Sequence, residues 1–361
     1  MTKQKNMKKP RRTRAGSGAM LAVYTVGHLS VEICSWAALY AFTIDTDYFS
    51  LSLLLYGVCA LALRLPIGAL ADRASKTGGY AIFGCVMIAA AMIAVPAPLV
   101  LASVLGIGNA CYYVGGCVFA VRKDNKCTPL GIFTSPAVVG MFAGRYIAGT
   151  DAVSGGVLMI STAVIMILCA FLVVIFEPVT DTYESVAPFP KGLTVSYPVR
   201  DFMACVCFFL ASGLCTFAEL SFNFERVDGI EGCALTAAAA LGIVIGGILA
   251  DRIGVRSASS LTLLISALLM VFSGVFLPFV FAVMLFGMTV PMMLRAAANV
   301  CGRHKGASLG MMSLAAFIGY LPTVYDIGLP FGVYGNAAVV MLTLAIFAAG
   351  LEFASRRMKS V

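Results

Sequence analysis

Residues Gly68–Lys76 read GALADRASK and residues Gly247–Arg256 read GILADRIGVR. From Asp72 to Asp251 the offset is 179 residues, about half of a 361-residue chain. Self-similarity at that spacing predicts two halves built on one plan. Each stretch closes a long apolar run, so each Asp-Arg pair falls where a helix leaves its apolar surroundings. Gly68 and Gly247 would let a neighbouring helix approach closely. Asp72 and Asp251 are placed to accept hydrogen bonds from exposed amides at a neighbouring helix's amino end. Arg73 and Arg252 can pair with them or face lipid headgroups.

Outward from these stretches the chain is apolar almost throughout. Hydrophobic residues make up 60% of it and charged residues 12%, with a mean hydropathy of +0.96. Soluble domains carry about 25% charged residues, and a water-soluble chain this greasy would aggregate. A bilayer is the solvent that fits. Apolar runs fall at 20–42, 50–71, 79–97, 99–120, 129–149, 155–176, 202–223, 233–250, 257–276, 278–298, 308–324 and 331–353. A crossing helix needs about 20 residues, so twelve spans use roughly 240 and leave no room for a large extramembrane domain. The longest break, 177–200, is polar and proline-containing, and it divides the runs six and six. The expected fold is an all-α membrane protein, with twelve transmembrane helices in two pseudo-symmetric six-helix bundles. Its expected divisions are a basic N-terminus (1–19), a first bundle (20–176), a central loop (177–200), a second bundle (201–353) and a C-terminal tail (354–361).

Charge offers a separate check. Lys3, Lys5, Lys8, Lys9, Arg11, Arg12 and Arg14 precede the first run, which favours a cytoplasmic N-terminus. That run is long, contains Glu32 and lacks a small-residue cleavage site, so it reads as a span rather than a cleaved leader. Loops on the same side then hold Arg73, Lys76, Arg122, Lys123, Lys126, Arg252, Arg256, Arg303 and Lys305. The opposite loops hold Arg226 beside Asp45, Asp47, Asp151, Glu225, Asp228, Glu231 and Asp326. A missed or surplus span would scramble this segregation. Both termini are therefore expected in the cytoplasm.

G-x-L-A-D-R followed by basic residues resembles the loop motif of the major facilitator superfamily, found between its helices 2 and 3 and again between 8 and 9. Ser75 departs from the motif's usual glycine, which the second copy keeps as Gly254. HLSVEIC (His28–Cys34), GIGNACYYVGG (Gly106–Gly116) and GIFTSPAVVGMFAGR (Gly131–Arg145) resemble a little-characterised bacterial branch, distantly similar to fosmidomycin-resistance-type exporters. That branch often has Asp where Glu32 stands and His where Tyr113 stands. The resemblance implies the major facilitator fold in a bacterial cytoplasmic (inner) membrane and a secondary transporter working by alternating access as a monomer. Helices 1, 4, 7 and 10 would surround a central cavity, and the two loop motifs would help close the inner side. Proton coupling by antiport, and efflux, are the expected mode.

Charges inside a membrane are costly and mark functional candidates. Here they are His28, Glu32, Arg64, Arg145, Glu219 and Arg295. Glu32 and His28 are one helical turn apart and share a face. A carboxylate in a desolvated cavity can load and release a proton near neutral pH. Glu32 is therefore a candidate for proton coupling or substrate contact, tuned by His28; the plain alternative is a structural carboxylate bonded to a neighbouring helix. Glu219 would gate, bind or reach the interface. Arg145 is expected to lie deep in its helix, where it would meet an anionic substrate or pair with Glu219 or Glu32. Arg64, two turns before Asp72, is expected at the inner gate, and Arg295 is expected to snorkel to headgroups. Three arginines against two glutamates hint at an anionic or amphiphilic cargo. Tyr112 and Tyr113 could stack on it, and Gly106, Gly108, Gly115 and Gly116 would let their helix bend or pack closely.

The motif GxxxxGK[ST] is absent, so energy must come from an ion or substrate gradient, with no cofactor. Two histidines and scattered cysteines give no metal-binding pattern, and most basic residues sit in loops and termini rather than forming a nucleic-acid surface. Expected partners are a small-molecule substrate, protons and membrane lipid. The rival readings are a membrane-embedded enzyme, such as a lipid or glycosyl transferase, and a non-transporting scaffold or sensor. An enzyme would need Asp, His or Ser clustered at one membrane face, and no such cluster is seen.

Overall fold

The computed structural model describes residues 14–150, 153–177, 199–222, 229–324 and 332–354. The leader before Arg14, residues 178–198 of the central loop, and Asp151, Glu225, Arg226, Asp228 and Asp326 lie outside them. Twelve helical rods run through the described residues: α1 (Arg14–Thr43), α2 (Phe49–Ala71), α3 (Gly78–Ala94), α4 (Pro98–Lys123), α5 (Thr128–Ala148) and α6 (Gly155–Phe176), then α7 (Val199–Ser221), α8 (Gly229–Ile253), α9 (Val255–Met270), α10 (Phe276–Val300), α11 (Lys305–Val324) and α12 (Gly332–Phe353). Each overlaps one of the expected runs. Nine are long and apolar enough to cross a membrane, while α3 and α9 are shorter apolar helices. The molecule is an all-helical integral membrane protein.

Local sequence explains where rods deviate from straight α-helix. Pro136 lacks an amide proton, and α5 breaks just before it; α10 likewise breaks at Met288, ahead of Pro291. In α2 a π-helical turn spans Val58–Ala62, ending two residues before Arg64. Such single wide turns inside α-helices are frequent at functional sites. α4, by contrast, is continuous despite its four glycines. Gly106 faces Tyr56 and Cys59 of α2, Gly108 and Gly115 face α3, and Gly116 lies under the Phe133 ring. These glycines serve the close packing expected of them.

The seam between the halves is formed chiefly by α2 on α11 and α5 on α8. Backbones nearly touch there: a Cβ added to Gly68 would collide with the Gly306 carbonyl, and one added to Gly247 would press on Cys127 and Thr128. The motif carboxylates close this seam as expected. Asp72 Oδ1 and Oδ2 accept from the amides of Gly306 (2.7 Å) and Ala307 (2.9 Å) in the first turn of α11. Asp251 accepts from the amides of Cys127 (2.7 Å) and Thr128 (3.0 Å), where α5 begins, and from the Thr128 hydroxyl. These are the orphan donors that every helix start leaves unpaired. The acceptor pair and the donor pair are both displaced by 179 residues, 72 to 251 and 127–128 to 306–307, so each half clasps the other by the same device.

Two arginines reinforce this end. Arg122 bonds the carbonyls of Ala71 and Ala74 and lies 3.4 Å from Asp72 Oδ1. Arg295 does not snorkel to headgroups. It is fully buried and reaches from α10 across the seam to the Val121 (3.1 Å), Asp124 and Lys126 (2.9 Å) carbonyls at the end of α4. A helix's last carbonyls lack intrahelical donors and carry partial negative charge, so they suit a cation. Arg73 and Arg252 are exposed at the same end.

Candidate functional site

Between the halves lies a cavity of about 270 Å³. Glu32 and Trp36 of α1, Tyr56 and Arg64 of α2, Asn109 of α4 and Met141 of α5 line one side. Glu219 and Phe222, at the end of α7, Ile243 of α8, Phe286 of α10 and Tyr320 of α11 line the other. A smaller cavity of about 150 Å³ shares Arg64, Thr216, Glu219 and Ala316 with it.

Glu32 is buried at the centre of a hydrogen-bonded network. Its Oε1 accepts from Asn109 Nδ2 (2.9 Å) and its Oε2 from Trp36 Nε1 (3.2 Å). Asn109 Nδ2 also reaches Tyr56 Oη (3.1 Å), and Asn109 Oδ1 accepts from Arg64 Nη2 (2.7 Å). One neutral amide thus stands between the carboxylate and the guanidinium. Tyr113 lies beneath Arg64, with the guanidinium carbon 3.6 Å from its ring centre, and presents its ring to His28.

His28 stands against this network, within reach of Glu32. Its Nδ1 lies 2.9 Å from the Phe133 carbonyl, which can only accept, so Nδ1 carries hydrogen. In a neutral ring Nε2 would then be a bare lone pair. Yet Nε2 is buried, makes no aligned hydrogen bond and faces Glu32 Oε1 at 3.3 Å. Two lone pairs cannot face each other at that distance without repulsion. A proton held by the pair, on either partner, removes the conflict. The ring is fixed for this role by stacking on Phe133, 4.6 Å away and nearly parallel.

The structure brings together His28, Glu32, Arg64 and Tyr113, and places Glu219 across the same cavity. Arg64 bonds Asn109 rather than standing at the gate with Asp72. Tyr112 belongs elsewhere: it is fully buried between α4 and α1, its hydroxyl donating to the Tyr24 carbonyl at 3.3 Å. Arg145 is not deep. It lies in the last turn of α5, half-buried, over the Tyr40 ring and beside a separate cavity. With Arg145 and Arg295 away from the main cavity, the expected surplus of arginines there disappears: its walls hold Glu32, Glu219 and Arg64. Asn109, Tyr56, Trp36 and Phe133 were not singled out from sequence. A neutral side chain in an apolar run gives no alarm, and only Asn109, a lone amide mid-helix, carried a faint signal.

No protein-family model matches the sequence, and no curated protein matches it either. Solved structures do. A major facilitator superfamily transporter, FucP, in the outward conformation superposes with a TM-score of 0.68 at 13% identity, covering 96% of this chain and 99% of that one. A variant of the E. coli fucose:proton symporter FucP gives 0.70 at 11% identity, covering 96% and 99%. A bacterial homologue of the iron transporter ferroportin, in an outward-facing state, gives 0.65 at 15% identity, covering 93% and 100%. At such identities the likeness speaks to architecture, and on that ground the chain has the major facilitator fold.

Proposed function

We propose that the protein is a secondary transporter that moves a small solute through the central cavity by alternating access, coupled to protons. A proton-holding Glu32–His28 pair in the wall of a cavity shared by both halves carries this reading. The clasped seam supports it, because a rocking mechanism needs contacts that close one end while the other admits solute. The basic loops favour a cytoplasmic position for the clasped end and both termini, in a bacterial inner membrane; the described state is then outward-facing. The domain divisions inferred from sequence, with a break at 177–200, accompany this proposal. In it the chain acts as a monomer, without cofactor and without covalent chemistry. Efflux rests on the resemblance alone, and the cavity itself favours no direction.

Proteoliposomes carrying the full chain test the proposal. An imposed pH gradient should drive solute flux and, conversely, an imposed solute gradient should move protons. Glu32→Gln should retain solute exchange while losing acceleration by the pH gradient. Full pH-driven transport by that variant would remove Glu32 from the coupling role.

A further inference from the structure

The cavity's polar groups are unequally satisfied. Both oxygens of Glu32 accept a hydrogen bond, and all of Asn109's amide protons and its oxygen are engaged by Glu32, Tyr56 and Arg64. Arg64 is less fully engaged. Its side chain is more than nine-tenths buried, one face is covered by Tyr113, and a single bond to Asn109 is its one described hydrogen bond. Arg64 Nε is buried with no partner. A guanidinium offers five N–H donors, and leaving one buried and unpaired costs about 1–3 kcal/mol, more when the group is charged. A group so placed in a cavity wall lacks an acceptor. Its planar fork, steadied by an aromatic ring, matches a carboxylate.

We infer that the transported solute is a small amphipathic monocarboxylate whose headgroup is held by Arg64, and that it loads together with a proton on the Glu32–His28 pair. This rests on the transporter reading above. The rest of the cavity is apolar and aromatic, through Trp36, Phe222, Ile243 and Phe286, which suits a short hydrocarbon or aryl body. At about 270 Å³ it lies just below the usual range of ligand sites, which begins near 300 Å³, so the body must be small. Glu219, across the cavity, would repel a second negative charge, which disfavours a dicarboxylate or a doubly charged phosphate. Glu32 and Arg64 touch only through Asn109. A proton on the Glu32–His28 pair therefore removes negative charge next to the anion site and strengthens it. Linkage requires the converse: a bound carboxylate strengthens proton binding. Other titratable groups that line the cavity with Glu32 are Tyr56, Glu219 and Tyr320, and Tyr113 lies beside His28 and Arg64. Co-loading replaces the exchange implied by the resemblance, and predicts uptake when the outside is acidic.

Trp36 is the only tryptophan in the chain, lines the cavity and bonds Glu32, so its fluorescence is a built-in reporter. The purified full chain would be titrated with straight-chain monocarboxylates from butyrate to decanoate and with phenylacetate. Matched amides and amines serve as controls. Saturable changes with acids, at least tenfold tighter than with amides or amines, are expected. Affinity for acids should rise at least fivefold from pH 8 to pH 6, and Glu32→Gln should flatten that dependence. Arg64→Gln should abolish acid binding while its thermal melt stays cooperative. If that variant does not fold, the acid-against-amide comparison in the unaltered protein decides. Equal binding of amides or amines, no binding by any acid, or unaffected binding in a folded Arg64→Gln would overturn the inference. Flux separates the two readings: acids that bind but never cross defeat transport and spare the anchor. A pH-driven flux of cations or neutral solutes does the reverse.

Discussion

Asn109 joins the two charges of the site without itself being charged. Its amide gives a donor pair to Glu32 and Tyr56 and an acceptor to Arg64, so it holds two opposite charges near each other yet short of a direct ion pair. A direct pair would neutralise the anion site; an amide bridge leaves it usable. Asn109→Ala takes a hydrogen-bond partner from three buried polar groups at once, at about 1–3 kcal/mol for each one left unsatisfied. The expected result is a loss of thermal stability of several degrees, measured by unfolding in detergent, together with a changed Trp36 emission. An unchanged melting temperature would mean that the network contributes little to the fold. Glu32 and His28 were legible in the sequence because charge inside an apolar run is conspicuous. Their neutral partners were not, since Asn and Tyr raise no comparable electrostatic signal.

Among elements, the crossing of α2 and α11 is a tight constraint on the seam, because Gly68 and Gly306 bring two backbones into contact. Gly68→Val cannot be absorbed by a side-chain rotation, since the obstacle is a carbonyl. Overpacking of this kind costs about 1–3 kcal/mol or more, and the strain falls only on the closed seam. The variant should fold but populate the closed end less. Spin labels at positions 73 and 303, in a background lacking the native thiols, should report a longer mean separation than in the parent. The helix starts and ends were readable from apolar runs and prolines, and the Asp72 and Asp251 clasps from the repeat. The fates of Arg145 and Arg295 were not. Depth along a helix is a linear quantity, but which face meets which neighbour depends on packing, and Arg295 finds its carbonyls only because α4 ends opposite it. Likewise, Gly254 adopts φ +84°, a left-handed conformation that the motif's glycine anticipates.

Across the whole molecule the two clasps form one mechanical unit. Each half donates a carboxylate to the other's helix start, so rigid halves cannot release one clasp and keep the second. Asp72→Asn should therefore weaken protection of both amide pairs, Gly306–Ala307 and Cys127–Thr128, in hydrogen exchange. A loss of about 1.4 kcal/mol would appear as a tenfold faster exchange at both sites. Faster exchange at Gly306–Ala307 alone would show that the seam opens piecemeal. The comparison of halves also marks where duplication stops. The clasp is repeated at an offset of 179 residues, whereas the counterpart positions of Glu32 and Arg64 at the same offset are Ala211 and Ile243.

That imbalance has a consequence for movement. Hydrogen bonds are directional and costly to break midway, whereas greasy contacts tolerate sliding. With Glu32, Asn109 and Arg64 on a single rigid body, a cargo's head can ride with that body through the whole stroke. The opposite wall, largely aliphatic and aromatic, then acts as a bearing over which the tail slips, and the barrier to switching stays low even when the load is firmly held.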